Sequence, residues 1–118
     1  MLIIMARINH WDFQLLVDTG AALTAITPEV AELCGVNLQR PIRSQRIFVA
    51  HQQFVEVPVV RLDHVSVGAC EISDLEALVL GFPEELRIDG ILGVNFLEHL
   101  RPTFEFDTAT LVLRLQRK

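Results

Sequence analysis

The sequence predicts an all-β domain with one or two short helices. Apolar residues make up 51% of the 118 residues, and many of them are the valines, isoleucines and leucines that strands favour. They occur in short runs separated by turn residues, whereas helix signals are confined to residues 27–34 and 94–100. A chain of this length can bury one core, so we expect a single domain over residues 1–118.

The first predicted element is a hairpin. Apolar residues 2–8 and 13–17 flank the polar stretch 9–12, a pattern typical of two strands joined by a turn. Trp11 lies in this turn, where it either packs on the hairpin or covers the mouth of a site formed further along the chain. After a loop, the apolar stretch 22–26 follows.

A short helix is predicted next. Thr27, Pro28 and Glu29 provide a hydroxyl cap, a proline at the first helical position and an acid in the first turn. The helix should end near Cys34, with Gly35 in a left-handed conformation just beyond it. Its inward face is expected to comprise Val30, Leu33 and either Cys34 or Ala31.

Three further strand pairs are expected downstream. Residues 47–60 resemble a long hairpin with a polar tip, and residues 64–67 and 71–80 form a second pair around a turn at 68–69. Residues 104–115 form the last hairpin, turning near 107–108. Between these pairs lie a loop that runs to Asp89 and the helical pattern 94–100.

Composition excludes several classes of function. The formal net charge is −5 and the basic residues are scattered, so nucleic acid is not an expected partner. Cys34 and Cys70 have no metal-binding spacing, and we expect two buried thiols, with a disulfide between them as the alternative. No metal or cofactor is expected. The apolar opening 1–5 is too short to cross a membrane, and we expect an edge strand or the stub of a longer parent chain. The sequence leaves the compartment open, with a soluble, cytoplasmic protein slightly favoured.

The tripeptide Asp-Thr-Gly at residues 18–20 is the candidate catalytic motif. Residues 15–21 read LLVDTGA, which places Asp18 after an apolar strand and before a threonine and a glycine. Peptide hydrolysis without a metal or a covalent intermediate needs one carboxylate to activate water and one carboxylic acid to polarise the carbonyl. Asp18 at the end of a buried strand suits such a role, although the same tripeptide also suits a plain turn in which the aspartate accepts a backbone hydrogen bond.

Two segments together resemble a known family. LLVDTGA is similar to the active-site signature of the retropepsin-like aspartic proteases, and residues 90–97, GILGVNFL, are similar to the second signature of that family. The resemblance implies a closed β-barrel of the acid-protease kind with one lobe per chain. It also implies that residues 91–93 cross beside the active-site strand in a loop shaped like the letter psi, with a short helix after them.

The resemblance assigns roles to individual residues. Asp18 would hold the lytic water, Thr19 would join the two active-site loops across a dimer axis, and Gly20 would contact the substrate backbone. Residues 47–60 would be the flap that closes over substrate, although glycine, which the family tends to have at the tip, is absent from residues 50–53. Beside Asp18 as the catalytic carboxylate, the supporting residues expected from the resemblance are Thr19, Gly20, Ala21, Ala50, His51, Gln52, Ile91, Leu92 and Gly93.

The expected chemistry needs two carboxylates, but Asp-Thr-Gly occurs once. A two-fold dimer would supply a second Asp18, and Asp89 is the rival partner within one chain. In the family the chain ends pair across the dimer, and residues 2–4 and 111–113 are apolar enough to do so. The expected partners are therefore a second copy of the chain and a peptide or protein substrate.

Three functions fit these observations. The first is an aspartic endopeptidase that acts on extended peptides. The second is a catalytically inactive dimerisation or peptide-binding module with the same fold, which the unusual flap tip favours. The third is an unrelated β-barrel binding domain in which Asp-Thr-Gly occurs by chance.

Overall fold

A computed structural model describes residues 2–49, 53–100, 103–105 and 110–112 of the chain. Within these residues the protein is mostly β, with two short α-helices and one 3-10 turn at Glu84–Leu86. The strands and helices are β1 Ile3–Ile8, β2 Trp11–Val17, β3 Thr24–Ile26, α1 Pro28–Leu33, β4 Arg43–Val49, β5 Gln53–Val67, β6 Cys70–Val79, β7 Gly90–Leu92, α2 Val94–Leu97, β8 Thr103–Glu105 and β9 Thr110–Val112.

Six of the strands close into a barrel. They are hydrogen-bonded in the order β1, β2, β7, β3, β6, β5, and β5 pairs back with β1 through Arg7 opposite Ser66 and Ile8 opposite Val65. β4 pairs with β5 outside this ring, so the β4–β5 hairpin extends from the barrel wall. The predicted all-β fold with a closed barrel is confirmed.

The first hairpin has a tighter turn than predicted. Ile8 lies opposite Trp11, so only Asn9 and His10 form the turn and the next two residues belong to β2. Asn9 adopts a left-handed backbone (φ 56°), which asparagine tolerates better than most residues. Trp11 is 52% exposed at the start of β2, the opposite end of the strand from Asp18. Of the two roles considered for Trp11, covering the site is therefore wrong.

The helix after β3 is confirmed, but one residue of its predicted inward face is wrong. The Thr27 hydroxyl accepts a hydrogen bond from the Val30 amide (3.2 Å), and Gly35 beyond the helix has φ 75°. Val30 and Ala31 are buried, whereas Leu33 is 56% exposed. At 3.6 residues per turn, Leu33 lies about 110° from the centre of the buried arc, while Cys34 lies near that centre.

β5 is one long strand where two were predicted. It pairs with β4 through its first part and with β6 through its second part. Its polar residues Arg61 and Asp63 interrupt the apolar pattern, but both are exposed on the outside of the barrel. The alternation of a half-buried strand therefore produced the apparent break.

The core fills the barrel, and α2 packs into it. Phe96 of α2 is fully buried and belongs to the same apolar cluster as the strand residues. The largest fully buried apolar side chains are Phe96, Ile8, Leu15, Ile26, Leu62, Leu92, Val59 and Val65. Burying each of these is worth about 1.5–3 kcal/mol, so this cluster is a major source of the barrel's stability.

The two cysteines are free thiols, which excludes the alternative of a disulfide. Cys70 is buried and Cys34 is half-buried, and burial raises the pKa of both thiols above its ordinary value. A raised pKa leaves less thiolate at neutral pH, so both side chains behave as small apolar groups.

The expected pairing of residues 2–4 and 111–113 across a dimer stays a prediction. Within the chain, Ile3 and Ile4 pair with Leu16 and Leu15, so one edge of β1 is occupied. α2 ends at Leu97 rather than at residue 100, and β8 pairs with β9 as the expected last hairpin. The predicted turn at 107–108 and residue 113 lie outside the described residues. No helix in the described part of the chain is long and apolar enough to span a membrane.

Candidate active site

Three neighbouring strands bring the two sequence signatures together. β7 lies between β2 and β3, parallel to β2 and antiparallel to β3. The loop 18–23 leaves the end of β2, passes the end of β7 and returns as β3. This is the psi-shaped crossing that the family resemblance implied, and it places Asp18 beside Gly93.

Backbone hydrogen bonds fix the position of Asp18. Its amide donates to the Leu92 carbonyl (3.1 Å), which extends the β2–β7 pairing by one residue. Its carboxylate Oδ1 accepts from the Gly20 amide (2.8 Å), and its carbonyl accepts from the Ala21 amide (3.2 Å). The Asp18 side chain is half-buried, so one carboxylate oxygen is oriented by the loop while part of the group stays accessible.

The same loop rests directly on the second signature. The Val94 amide donates to the Ala21 carbonyl (2.7 Å), and the Asn95 amide donates to the Ala22 carbonyl (3.1 Å). A Cβ atom on Gly93 would lie 2.5 Å from the carbonyl carbon and oxygen of Leu23, which no side chain can do without displacing the backbone. Gly93 is therefore glycine because the two segments approach this closely.

Gly90 has a similar role at the other end of β7. A Cβ atom there would lie 2.2 Å from the Ala25 carbonyl oxygen. Gly20 is less restricted, because its Cβ atom would lie 3.2 Å from Oδ1 of Asp18. Of these glycines, Gly93 is the one that permits the close stacking of the Asp18 loop on the second signature.

Two polar residues of this region were missed by the sequence analysis. Thr24, at the start of β3, is fully buried, and its hydroxyl donates to Oδ1 of Asn95 (2.9 Å). The sequence does carry a signal for them, since both are hydrogen-bonding side chains within otherwise apolar stretches. A buried polar side chain needs a partner, but the sequence does not say which partner it has.

The remaining predicted site residues are placed as follows. Thr19 and Gly20 are exposed in the loop, Ala21 is half-buried beside them, and Ile91 and Leu92 form the middle and end of β7. Ala50, His51 and Gln52 lie outside the described residues. The strands on either side of them are paired up to Val49 opposite Gln53.

Asp89 is not positioned to serve as a second carboxylate within the chain. Its Oδ2 accepts from the Gln14 amide (2.9 Å), and its own amide donates to the Gln14 carbonyl (2.9 Å). Gln14 precedes Asp18 by four residues on an extended strand, which is a separation of about 13 Å. Among the other acids, Asp12 pairs with Arg7 (3.1 Å), and Asp63 and Asp74 are exposed.

A psi-shaped crossing that presents Asp-Thr-Gly on a closed six-stranded barrel defines the retropepsin-like class of aspartic proteases. A family model described as "gag-polyprotein putative aspartyl protease" matches residues 4–99, and the chain belongs to this family. Among solved structures, the chain is similar to a retropepsin-like aspartic protease from Rickettsia conorii, with 26% sequence identity and a TM-score of 0.73. That match covers 94% of this chain and 80% of the other. A search of curated proteins finds no match.

Proposed function

We propose that the protein is an aspartic endopeptidase whose active site is completed by a second copy of the chain. The observation that carries this proposal is the position of Asp18, which directly follows β2 in a loop held by hydrogen bonds to the second signature. A carboxylate fixed in this way is already oriented before substrate binds, and such orientation is a large part of catalytic power.

The reaction would use the two Asp18 carboxyls in different protonation states. The ionised carboxyl removes a proton from water, whose oxygen attacks the peptide carbonyl carbon, while the protonated carboxyl donates to the carbonyl oxygen. The resulting diol collapses when the C–N bond breaks: the amine nitrogen takes the proton that the first carboxyl removed from water, and one diol hydroxyl returns a proton to the second carboxyl. Two carboxyls about 3 Å apart hold one proton between them because they do not readily ionise together, and aspartic proteases are the standard example of this behaviour.

A second chain is proposed because none of the four aspartates placed above, Asp12, Asp63, Asp74 and Asp89, is held next to Asp18 as a partner. Asp89 is occupied by the backbone of β2, and the other acids described above lie in an ion pair or on the surface. A two-fold axis next to the Asp18 loop brings two identical carboxyls face to face. In that arrangement Thr19, exposed next to Asp18, contacts the partner's loop.

The other site residues would support substrate binding. Gly20 and Ala21 present backbone and a small side chain next to Asp18, and Gly93 lets the loop stack on residues 91–93. The β4–β5 hairpin would act as the flap, with Ala50, His51 and Gln52 at its tip. An extended peptide bound between the hairpins and the Asp18 loops would be held by main-chain hydrogen bonds.

A catalytically inactive dimerisation or peptide-binding module is the second candidate. The flap sequence favours it, because residues 50–53 contain no glycine to adopt positive φ cheaply at the tip. A flap that does not close would not press the peptide against the two carboxyls, so the module would bind peptide without hydrolysing it.

Peptide cleavage by an Asp18→Asn variant tests the proposal. The purified protein is incubated with a mixture of extended peptides from acid to neutral pH, and products are identified by mass spectrometry. Asparagine keeps the size of the side chain and an oxygen for the Gly20 amide, so the loop is preserved while the acid–base function is lost. We expect cleavage to fall by about a thousandfold or more.

Asp89→Asn is the matched control, because it makes the same chemical change on the acid beside Gln14. This variant should cleave at a rate close to that of the wild type. An absence of wild-type cleavage at every pH, with the dimer intact in solution, would contradict the proposal and favour the binding module.

A further inference from the structure

Asn95 connects three parts of the chain behind the Asp18 loop. Its Oδ1 accepts hydrogen bonds from both the amide (2.8 Å) and the hydroxyl (2.9 Å) of Thr24. Its Nδ2 donates to the Glu76 carbonyl on β6 (2.7 Å). One side chain thus joins α2 to the strand that leaves the loop and to the neighbouring strand of the barrel.

Thr24 carries the connection on to Gly93. The Thr24 hydroxyl, which donates to Asn95, also accepts from the Gly93 amide (3.1 Å) in a buried setting. Gly93 in turn contacts Leu23, and the Asn95 amide binds the Ala22 carbonyl. Each polar atom in this cluster has a partner, so removing one group leaves another buried and unsatisfied.

The Asp18 loop is therefore held at both ends by residues 92–95. At the first end, the Asp18 amide donates to the Leu92 carbonyl. At the far end, the Ala21 and Ala22 carbonyls accept from the amides of Val94 and Asn95, and the amide of Thr24, just after the loop, donates to the Asn95 side chain. The first contact continues the strand pairing of β2 with β7, which three residue pairs already form. The side-chain contacts at the far end depend on Asn95.

We propose that Asn95 is a positioning residue, which holds the loop 18–23 in the one place from which two Asp18 carboxyls can meet. The role in catalysis rests on the proposed aspartic protease function, whereas the effect on the loop does not. Asn95 itself touches neither carboxyl. It acts through Thr24 and through the backbone of the loop.

Glu76 extends the same connection to the base of the β4–β5 hairpin. Its carbonyl binds Asn95, and its carboxylate pairs with Arg43 (2.8 Å) at the start of β4. Both charged side chains of this pair are partly exposed, so the pair adds little stability by itself. The pair nevertheless connects β4 of the hairpin to β6, the strand whose Glu76 carbonyl binds Asn95.

The test compares Asn95→Asp with Asn9→Asp. Both asparagines are half-buried, and each donates one amide hydrogen bond to a backbone carbonyl, Asn95 to Glu76 and Asn9 to Cys34 (2.9 Å). Both substitutions remove that donor and add a negative charge, but Asn9 lies at the opposite end of β2 from Asp18. A third variant, Thr24→Val, removes only the hydroxyl and adds no charge.

The first measurement is backbone hydrogen exchange in residues 18–23, followed by mass spectrometry. Asn95→Asp loses one hydrogen bond, to the Glu76 carbonyl, and Thr24→Val loses two, to Asn95 and Gly93. Each variant should speed exchange in this loop about tenfold or more, whereas Asn9→Asp should leave it unchanged. The result needs no substrate. Unchanged loop exchange in both folded variants overturns the proposal, and Thr24→Val decides alone if Asn95→Asp does not fold.

The second measurement is the pH profile of kcat on a peptide that the wild type cleaves. Displaced loops should lower kcat about tenfold to a hundredfold with little change in KM. They should also bring the acid and basic limbs of the profile closer together, because the limbs separate only when two carboxyls interact strongly. A loss of stability alone, as expected in Asn9→Asp, changes neither kcat nor the separation of the two limbs. A wild type without any cleavage contradicts the proposed function but leaves the exchange result to decide the role of Asn95.

Discussion

Side-chain size matters as much as charge at the Asp18 site. The carboxylate receives its orientation from the Gly20 amide, and the loop that carries it lies against Gly93 at a distance that excludes a Cβ atom. Within this contact Gly20 and Gly93 have no side chain, and Ala21 and Ala22 have only a methyl group. The site therefore depends on how closely two backbones approach, which a single methyl group can change.

Gly93→Ala should destabilise the protein and reduce cleavage. The new methyl group would lie 2.5 Å from backbone atoms of Leu23, so the loop or α2 must shift. Overpacking of this kind costs about 1–3 kcal/mol of the free energy of unfolding. Denaturant titration measures the loss, and kcat reports the displaced loop.

Gly81→Ala is the control for that prediction. No atom lies within 4 Å of a Cβ at Gly81, and its φ is not in the left-handed region, so the free energy of unfolding should change by less than about 0.5 kcal/mol. Equal effects of the two substitutions would show that the contact between Gly93 and Leu23 does not constrain the site.

Sequence patterns predicted some of these residues and missed others. Asp18 and Gly93 were predicted because each lies in a local pattern, an apolar strand before Asp-Thr-Gly and an apolar pair before glycine. Asn95 was missed because its partners Thr24 and Glu76 are 71 and 19 residues away along the chain. No local spacing encodes contacts between such distant residues.

At the scale of elements, the β4–β5 hairpin carries an exposed aromatic pair. Phe48 and Phe54 lie directly opposite each other, with their ring centroids 5.0 Å apart in an edge-to-face arrangement. The guanidinium of Arg46 lies 5.1 Å from the Phe54 ring centroid. These contacts hold the two strands together beyond the barrel wall, where little core packing supports them.

A double-mutant cycle of Phe48→Ala and Phe54→Ala should reveal this contact. We expect a coupling free energy of about 0.5–1 kcal/mol, because cross-strand aromatic pairs attract beyond the area they bury. Thermal or denaturant unfolding of the four proteins gives the value.

The control cycle pairs Phe48→Ala with Leu33→Ala. Leu33 on α1 is 56% exposed, similar to Phe48 at 60%, and it belongs to a different element. Distant changes of this kind add within about 0.5 kcal/mol. If the changes in the free energy of unfolding also add in the Phe48 and Phe54 cycle, the two rings do not interact in solution.

Element boundaries were harder to predict than the elements themselves. The cap at Thr27 and the glycine at position 35 specify the helix between them, because each meets a backbone need of a helix end. The predicted break inside β5 was wrong because the exposed polar residues Arg61 and Asp63 on one face of the strand resemble a loop in the sequence. Only the pairing of β5 with two neighbours distinguishes the two possibilities.

At the scale of the whole molecule, Asp18 follows β2 at one end of the barrel, and Asp89, the rival partner within the chain, is bound to the backbone of Gln14. Partner exchange should therefore affect activity. Mixing one part of wild type with nine parts of Asp18→Asn, followed by exchange of subunits, should reduce cleavage per wild-type chain about tenfold, because nearly all wild-type chains then pair with an inactive one.

Mixing with Asn9→Asp controls for dilution, because that chain keeps Asp18 and its loop. This mixture should show no inhibition, and its cleavage should equal the sum of the two proteins measured separately. Full activity in the Asp18→Asn mixture, with exchange demonstrated by mass, would mean that one chain carries out the reaction by itself.

The sequence by itself determined the β class, the helix between Thr27 and Gly35, and the position of Asp18 within a recognisable signature. These features depend on neighbours along the chain, through alternation, capping and turn chemistry. The tertiary structure decided that β7 lies between β2 and β3, that Asp89 is occupied by the backbone of Gln14, and that Asn95 supports the loop. Those outcomes depend on strand pairing and packing between distant residues, whose partners are set only when the barrel closes.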